Sequence, residues 1–273
     1  MGELSGIAIG VTAERRAGEF IAALERYGAA VRHAPTITIV PLDTDPELKD
    51  ATLKLVMSPV DITVVTTGAG FRGWLAAAEG WGLRKQLVDH LRESRIYARG
   101  PKAVGAVRGA GLREFFSAES ESNAELFEAV AAAGVLGQRT AVQLHGTPLP
   151  EFTASLVEAG AWLTEVQPYR WTSPPDVTPV YDLIDAVLAG ELDALAFTSA
   201  PAAANFLTLA RTSGRYPQLL TALREGPLVC ACVGPVTAAP LEEAGVATLQ
   251  PDRQRLGALV KLLVTRLGKE TAE

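Results

Sequence analysis

The chain of 273 residues carries 25 basic and 31 acidic side chains, a formal charge of -6, with 48% hydrophobic and 6% aromatic residues. That length suffices for one large domain or two of ordinary size, and a charged fraction of 21% excludes a disordered, collagenous or disulfide-built chain. The acidic balance argues against a nucleic-acid binder but leaves room for a local basic cleft, because net charge averages over both faces.

The chain opens Met1-Gly2-Glu3-Leu4, without a basic leader or a long apolar run, and no apolar stretch approaches the roughly 18 residues of a membrane helix. A reducing, cytoplasmic setting with no membrane partner is expected. Short apolar runs then alternate with Ala/Leu/Glu-rich helical patterns: Ile7 to Val11, Ile62 to Thr66, Thr140 to Leu144, Ala194 to Thr198 and Leu228 to Val233. Continuous apolar strands separated by helices predict a parallel sheet covered on both faces, the α/β class. The first helix is predicted from about Glu14 to Tyr27, with Phe20, Leu24 and Tyr27 on one stripe and Gly28 as its stop.

Pro35 to Pro41 and Gln167 to Pro175 are extended, proline-bounded and β-branched or aromatic. They read equally as linkers or strands. Gly68-x-Gly70-x-x-Gly73 follows one predicted strand and opens a helix, as a dinucleotide fingerprint does. The acid that such a fingerprint needs after the next strand is missing: Asp89 lies in a helical pattern, and the strand at Arg95 to Ala98 ends on Arg99. An anion-binding loop or simple close packing is the preferred reading of these glycines.

His145-Gly146 follows a strand end, a place for a ligand contact or for a solvated loop. His33 and His90 make no ligand spacing with it, so no metal is expected. Cys230 and Cys232 are too few for a disulfide framework and read as core neighbours on one strand face. Arg15, Arg16, Arg72, Arg99, Lys102 and Arg170 lie near strand ends, helix starts or linkers, with Arg99, Lys102 and Arg170 the first candidates for binding an anion.

The chain also repeats itself. Glu19-Phe20, Leu24 and Gly28 return as Glu151-Phe152, Leu156 and Gly160, and Asp61 to Thr67 returns as Asp193 to Ser199, each shifted by 132 residues. Gly100-Pro101 and Ala110-Gly111 return as Gly234-Pro235 and Ala244-Gly245, shifted by 134. Three segments repeating in one order imply two similar α/β units.

With Phe197-Thr198-Ser199, Val233-Gly234-Pro235-Val236-Thr237-Ala238 and Tyr169 in order, the chain resembles the uroporphyrinogen-III synthase family from about Ile7 to Leu267. The resemblance implies two parallel-sheet α/β domains, residues 1–36 plus 173–273 and residues 37–172, joined by two linker strands with an active-site cleft between them. It implies cyclisation of hydroxymethylbilane, a linear tetrapyrrole polycarboxylate, with inversion of the last ring and loss of water, without metal or cofactor and with a monomeric enzyme. Tyr169 matches the family's linker tyrosine and is the expected catalytic residue, a phenol that can assist departure of the hydroxyl; its alternative role is packing beside Trp171.

Thr66, Thr67, Gly68, Arg99, Lys102, His145, Gly146, Arg170, Thr198, Ser199 and Thr237 are the expected substrate-binding residues, the hydroxyls serving equally as helix N-caps. The chain departs from the family pattern in Thr67-Gly68-Ala69-Gly70-Phe71-Arg72-Gly73-Trp74, where Thr-Ser-x-Asn-Gly is common, and at Ala103, where a hydroxyl is frequent. Variants resembling this one are also joined to a winged-helix DNA-binding domain, so the alternative is a non-catalytic module sensing tetrapyrroles or small anions. No basic recognition helix is present, so no nucleic acid is expected to bind this chain alone.

Overall fold

The computed structural model describes residues 2–268. The chain divides into two compact units, Met1–Thr38 with Thr172–Glu273, and Ile39–Trp171. The first unit opens with β1 (Ala8–Val11), α1 (Ala17–Arg26) and β2 (Ala30–His33). The chain leaves through β3 (Thr38–Pro41) and builds the second unit from α2 (Pro46–Val56), β4 (Ile62–Val65), α3 (Gly68–Gly80), α4 (Arg84–Glu93), β5 (Arg95–Ala98) and α5 (Pro101–Gly109). That unit continues with β6 (Phe116–Ser117), α6 (Asn123–Ala132), β7 (Arg139–Gln143), α7 (Pro150–Glu158) and β8 (Trp162–Val166). After β9 (Tyr169–Thr172), the chain completes the first unit with α8 (Thr178–Leu188), β10 (Ala194–Phe197), α9 (Ala200–Thr212), α10 (Tyr216–Glu225), β11 (Val229–Cys232), α11 (Pro235–Glu243), β12 (Thr248–Leu249) and α12 (Leu256–Leu267).

Each unit holds one five-stranded sheet, ordered β12-β11-β10-β1-β2 in the first and β6-β5-β4-β7-β8 in the second. Every ladder in both is parallel. The two orders match strand for strand, but the chain ends of the first unit fall between α12 and β1, where the second unit runs on from α6 to β7. The first unit is therefore a circular permutation of the second. The closeness this requires is present: a Cβ on Gly268 would lie 3.5 Å from the Glu3 carbonyl oxygen.

The central strands β4 and β10 are buried throughout, as both faces of a parallel sheet must be when helices cover them. Ile62 and Val64 pack with Leu126, Val130 and Leu156, while Val65 and Ala98 face Phe71, Trp74 and Val107. In the first unit, Ala194 and Ala196 meet Phe20, Leu24 and Leu263, and Leu195 and Phe197 meet Leu183 and Phe206. Cys230 and Cys232 belong to the latter core, and burial pushes both thiols up to about 12, so they remain protonated core groups.

One local expectation needs revision. The first helix starts at Ala17 rather than Glu14, because Arg16 takes the left-handed conformation, φ 55°, and interrupts the turn. Of the two readings of the proline-bounded segments, the strand is the one observed: β3 and β9 pair as a two-stranded sheet. Among the described residues no helix is long and apolar enough to cross a membrane.

Candidate functional site

In an open parallel sheet, ligands bind outside the carboxyl ends of the strands. At the end of β4, the buried Thr66 hydroxyl donates to the Gln143 carbonyl at 2.7 Å, linking β4 to β7. Thr67 caps α3, its hydroxyl accepting from Gly70 N–H at 3.1 Å. The Gln143 side chain lies beside it, its Oε1 accepting from Thr67 N–H at 3.1 Å. A Cβ on Gly68 would lie 2.0 Å from the Lys102 backbone carbonyl oxygen, which excludes a side chain there, and one on Gly70 would lie 2.2 Å from Gln143 Nε2, so that the amide would have to move. The glycine-rich segment thus serves close packing of α3 against α5 and β7, the simpler of its two readings.

Tyr169, on β9, brings its hydroxyl to 3.5 Å from Thr67 Oγ1. The ring packs against Gly146, at φ +96°, where a Cβ would be 3.0 Å from Tyr169 Cε2 and 2.5 Å from Trp171 Cδ1. Gly146 is the floor on which both aromatic rings rest, and its conformation disfavours any side chain there. Trp171 Nε1 and His145 Nδ1 are buried without hydrogen-bond partners among the described residues. The His145 imidazole is pushed down to about 4 by burial first and by the Arg99 charge second, against an opposing pull from Glu151, and so is neutral at neutral pH.

Arg99, half-buried directly after β5, donates to Asn123 Oδ1 at 3.5 Å. No carboxylate lies within ion-pair distance of it among the described residues. Burial lowers the affinity of its guanidinium for the proton, while Tyr169 and Glu121 work in the opposite direction. A half-buried guanidinium without a carboxylate is a receptive position for an anion. The second unit gathers Thr67, Gly68, Arg99, Lys102, His145, Gly146 and Tyr169 around one end of its sheet; Lys102, in the first turn of α5, is exposed, as is Arg170, next to Tyr169 on β9.

In the first unit, Ser199 caps α9 by accepting from Ala202 N–H at 3.4 Å, as Thr67 caps α3. Thr198 is half-buried at the end of β10, and Thr237 lies buried in the first turn of α11. Polar groups that sequence inspection passes over stand nearby: Thr36 donates to the Ala202 carbonyl at 2.8 Å, and Asn205 Nδ2 donates to the Thr36 carbonyl at 2.6 Å. In the second unit, Gln143 is the residue missed. Its signal is a carboxamide in an apolar strand, a group that must be fully hydrogen-bonded once buried.

Fold and site define an α/β protein whose strand ends carry hydroxyls, helix N-termini and an unpaired guanidinium, an equipment suited to a polyanionic small molecule. Residues 18–261 match the model of the family described as Uroporphyrinogen-III synthase HemD, and the chain belongs to that family. It is similar to a solved mutant uroporphyrinogen III synthase of Thermus thermophilus, with a TM-score of 0.78 and 29% identity over 94% of this chain and 96% of that one. The wild-type enzyme of that organism, in another crystal form, matches with a TM-score of 0.66 and 31% identity over 98% and 100% of the two chains. The uncharacterized protein YjjA of Bacillus subtilis strain 168 is 27% identical over 261 residues, 94% of each chain.

Proposed function

We propose that this protein is a uroporphyrinogen-III synthase, closing hydroxymethylbilane into the macrocycle with inversion of the last pyrrole ring and loss of water. The reactive groups belong to the substrate: departure of the hydroxyl leaves an azafulvene cation, which the last ring attacks through its substituted carbon, and the spiro intermediate reopens and recloses. The protein's part is positioning and general acid catalysis. Tyr169 assists the departing hydroxyl. Arg99, Lys102 and Arg170 pair with acetate and propionate carboxylates, and Thr198, Ser199, Thr237, His145 and the backbone N–H groups at the helix starts supply further hydrogen bonds. The scheme uses no metal or cofactor.

The observation that carries this reading is Tyr169 in contact with Thr67 at 3.5 Å, in the unit whose Arg99 has no carboxylate partner among the described residues. Membership of the family supports it. Hydroxymethylbilane closes spontaneously without inversion, so the test is whether purified protein diverts product to isomer III. An unchanged isomer ratio at saturating protein would favour the non-catalytic sensing module instead.

A further inference from the structure

We infer that Gln143, acting through Thr67, sets the direction in which the Tyr169 hydroxyl offers its proton, and that Gly70 is glycine to make room for this arrangement. The inference rests on the reading of Tyr169 as the group assisting departure of the substrate hydroxyl. Thr67 N–H can only donate, so the end of the Gln143 amide that meets it at 3.1 Å is the oxygen. The other end, Nε2, donates one proton to the Leu144 carbonyl and turns the second toward Thr67 Oγ1 at 3.4 Å. Gly70 N–H donates to the same hydroxyl oxygen at 3.1 Å.

Two donors therefore occupy the two lone pairs of the Thr67 hydroxyl, and its single proton is left for the Tyr169 oxygen. At 3.5 Å this contact is long for two hydroxyls, of the kind that tightens around a reacting substrate. Because the Tyr169 oxygen accepts from Thr67, its own proton points away from the strand end. As the substrate C–O bond breaks, its electron pair goes to the leaving oxygen, which takes the phenol proton and departs as water. The phenolate keeps the Thr67 hydrogen bond and regains a proton from the ring carbon that loses one on closure.

The arrangement is confined to one unit. Gln143 is opposite Val65 in register, and Val11 is opposite Ala196, so Thr12 holds the place of Gln143 in the first unit. There the residue equivalent to Gly70 is Ala202, and among the described residues the Ser199 hydroxyl that caps α9 accepts from Ala202 N–H alone. Gln143 and Thr67 touch no reacting atom and are positioning residues.

Raman spectra of the intact protein test this directly, since the ring Fermi doublet of a tyrosine reports whether its oxygen accepts or donates. In difference spectra against Tyr169→Phe, the Tyr169 doublet should show acceptor character in the parent and in Thr67→Ser, and lose it in Thr67→Val and Gly70→Ala, with folding checked by circular dichroism. Turnover should follow, with kcat of Thr67→Val roughly tenfold down, KM unchanged, and Thr67→Ser restored. A donor-type doublet in the parent, or one unaltered in Thr67→Val, overturns the inference whether or not the protein turns over hydroxymethylbilane. The expected doublets in a protein without turnover would overturn the functional reading alone.

Discussion

Arg99 and Val233 occupy the same place in two copies of one fold. The N–H of Arg99 donates to the Val65 carbonyl at 3.0 Å, and the N–H of Val233 donates to the Phe197 carbonyl at 3.0 Å, each just before the glycine that caps the next helix. A valine thus satisfies the fold at this position, and the guanidinium is surplus to folding.

Arg99→Val should therefore separate binding from stability. We expect KM to rise roughly 10- to 100-fold, the worth of a charge-assisted hydrogen bond, with kcat much less affected. The melting temperature should hold or rise, since an unpaired, half-buried cation is removed. A stability loss with unaltered KM would make Arg99 a structural residue.

Tyr169→Phe keeps the ring on Gly146 and deletes only the hydroxyl. Turnover should fall by about a hundredfold, the lower end for a positioned general acid because water can partly substitute, while thermal unfolding stays near the parent's. Steady-state kinetics with an unchanged kcat would return Tyr169 to a packing role.

His145 predicts a pH dependence of stability. Its imidazole is held down to about 4 in the folded protein, against an unfolded value near 6.5. Between these values the unfolded chain binds the extra proton, so its stabilising contribution is complete above about pH 6.5 and is lost as the pH falls toward 4. Urea midpoints measured from pH 7 to 4.5 should decline in the parent and decline less in His145→Gln; parallel profiles would contradict the assignment.

Gly68→Ala places a methyl against the backbone carbonyl of Lys102, which cannot swing aside as a side chain would. A loss of about 1–3 kcal/mol is expected by chemical denaturation. NAD added to the parent should leave the melting temperature unchanged, because these glycines serve packing.

Much of the fold is legible in the sequence because equivalent positions impose equivalent demands. Gly100 and Gly234 repeat at the same place, each the N-cap residue of the helix that follows its strand. Buried strands repeat as apolar runs for the same reason. Arg16 escapes such reading because its left-handed turn follows from the loop around it, and the pairing of β3 with β9 escapes because two segments so far apart in the chain leave no local pattern of it. Gln143 is hidden for a related reason: its role emerges only where β7, the start of α3 and β9 meet, and no spacing along the chain encodes that meeting.

The central claim is tested most directly by following hydroxymethylbilane labelled with carbon-13 at its hydroxymethyl carbon, with product isomers resolved by NMR over a range of protein concentrations. The account predicts that isomer III replaces isomer I as protein is raised, and that Tyr169→Phe at equal concentration shifts the product back toward isomer I. An isomer ratio that stays at the spontaneous value up to saturating, correctly folded protein would contradict it.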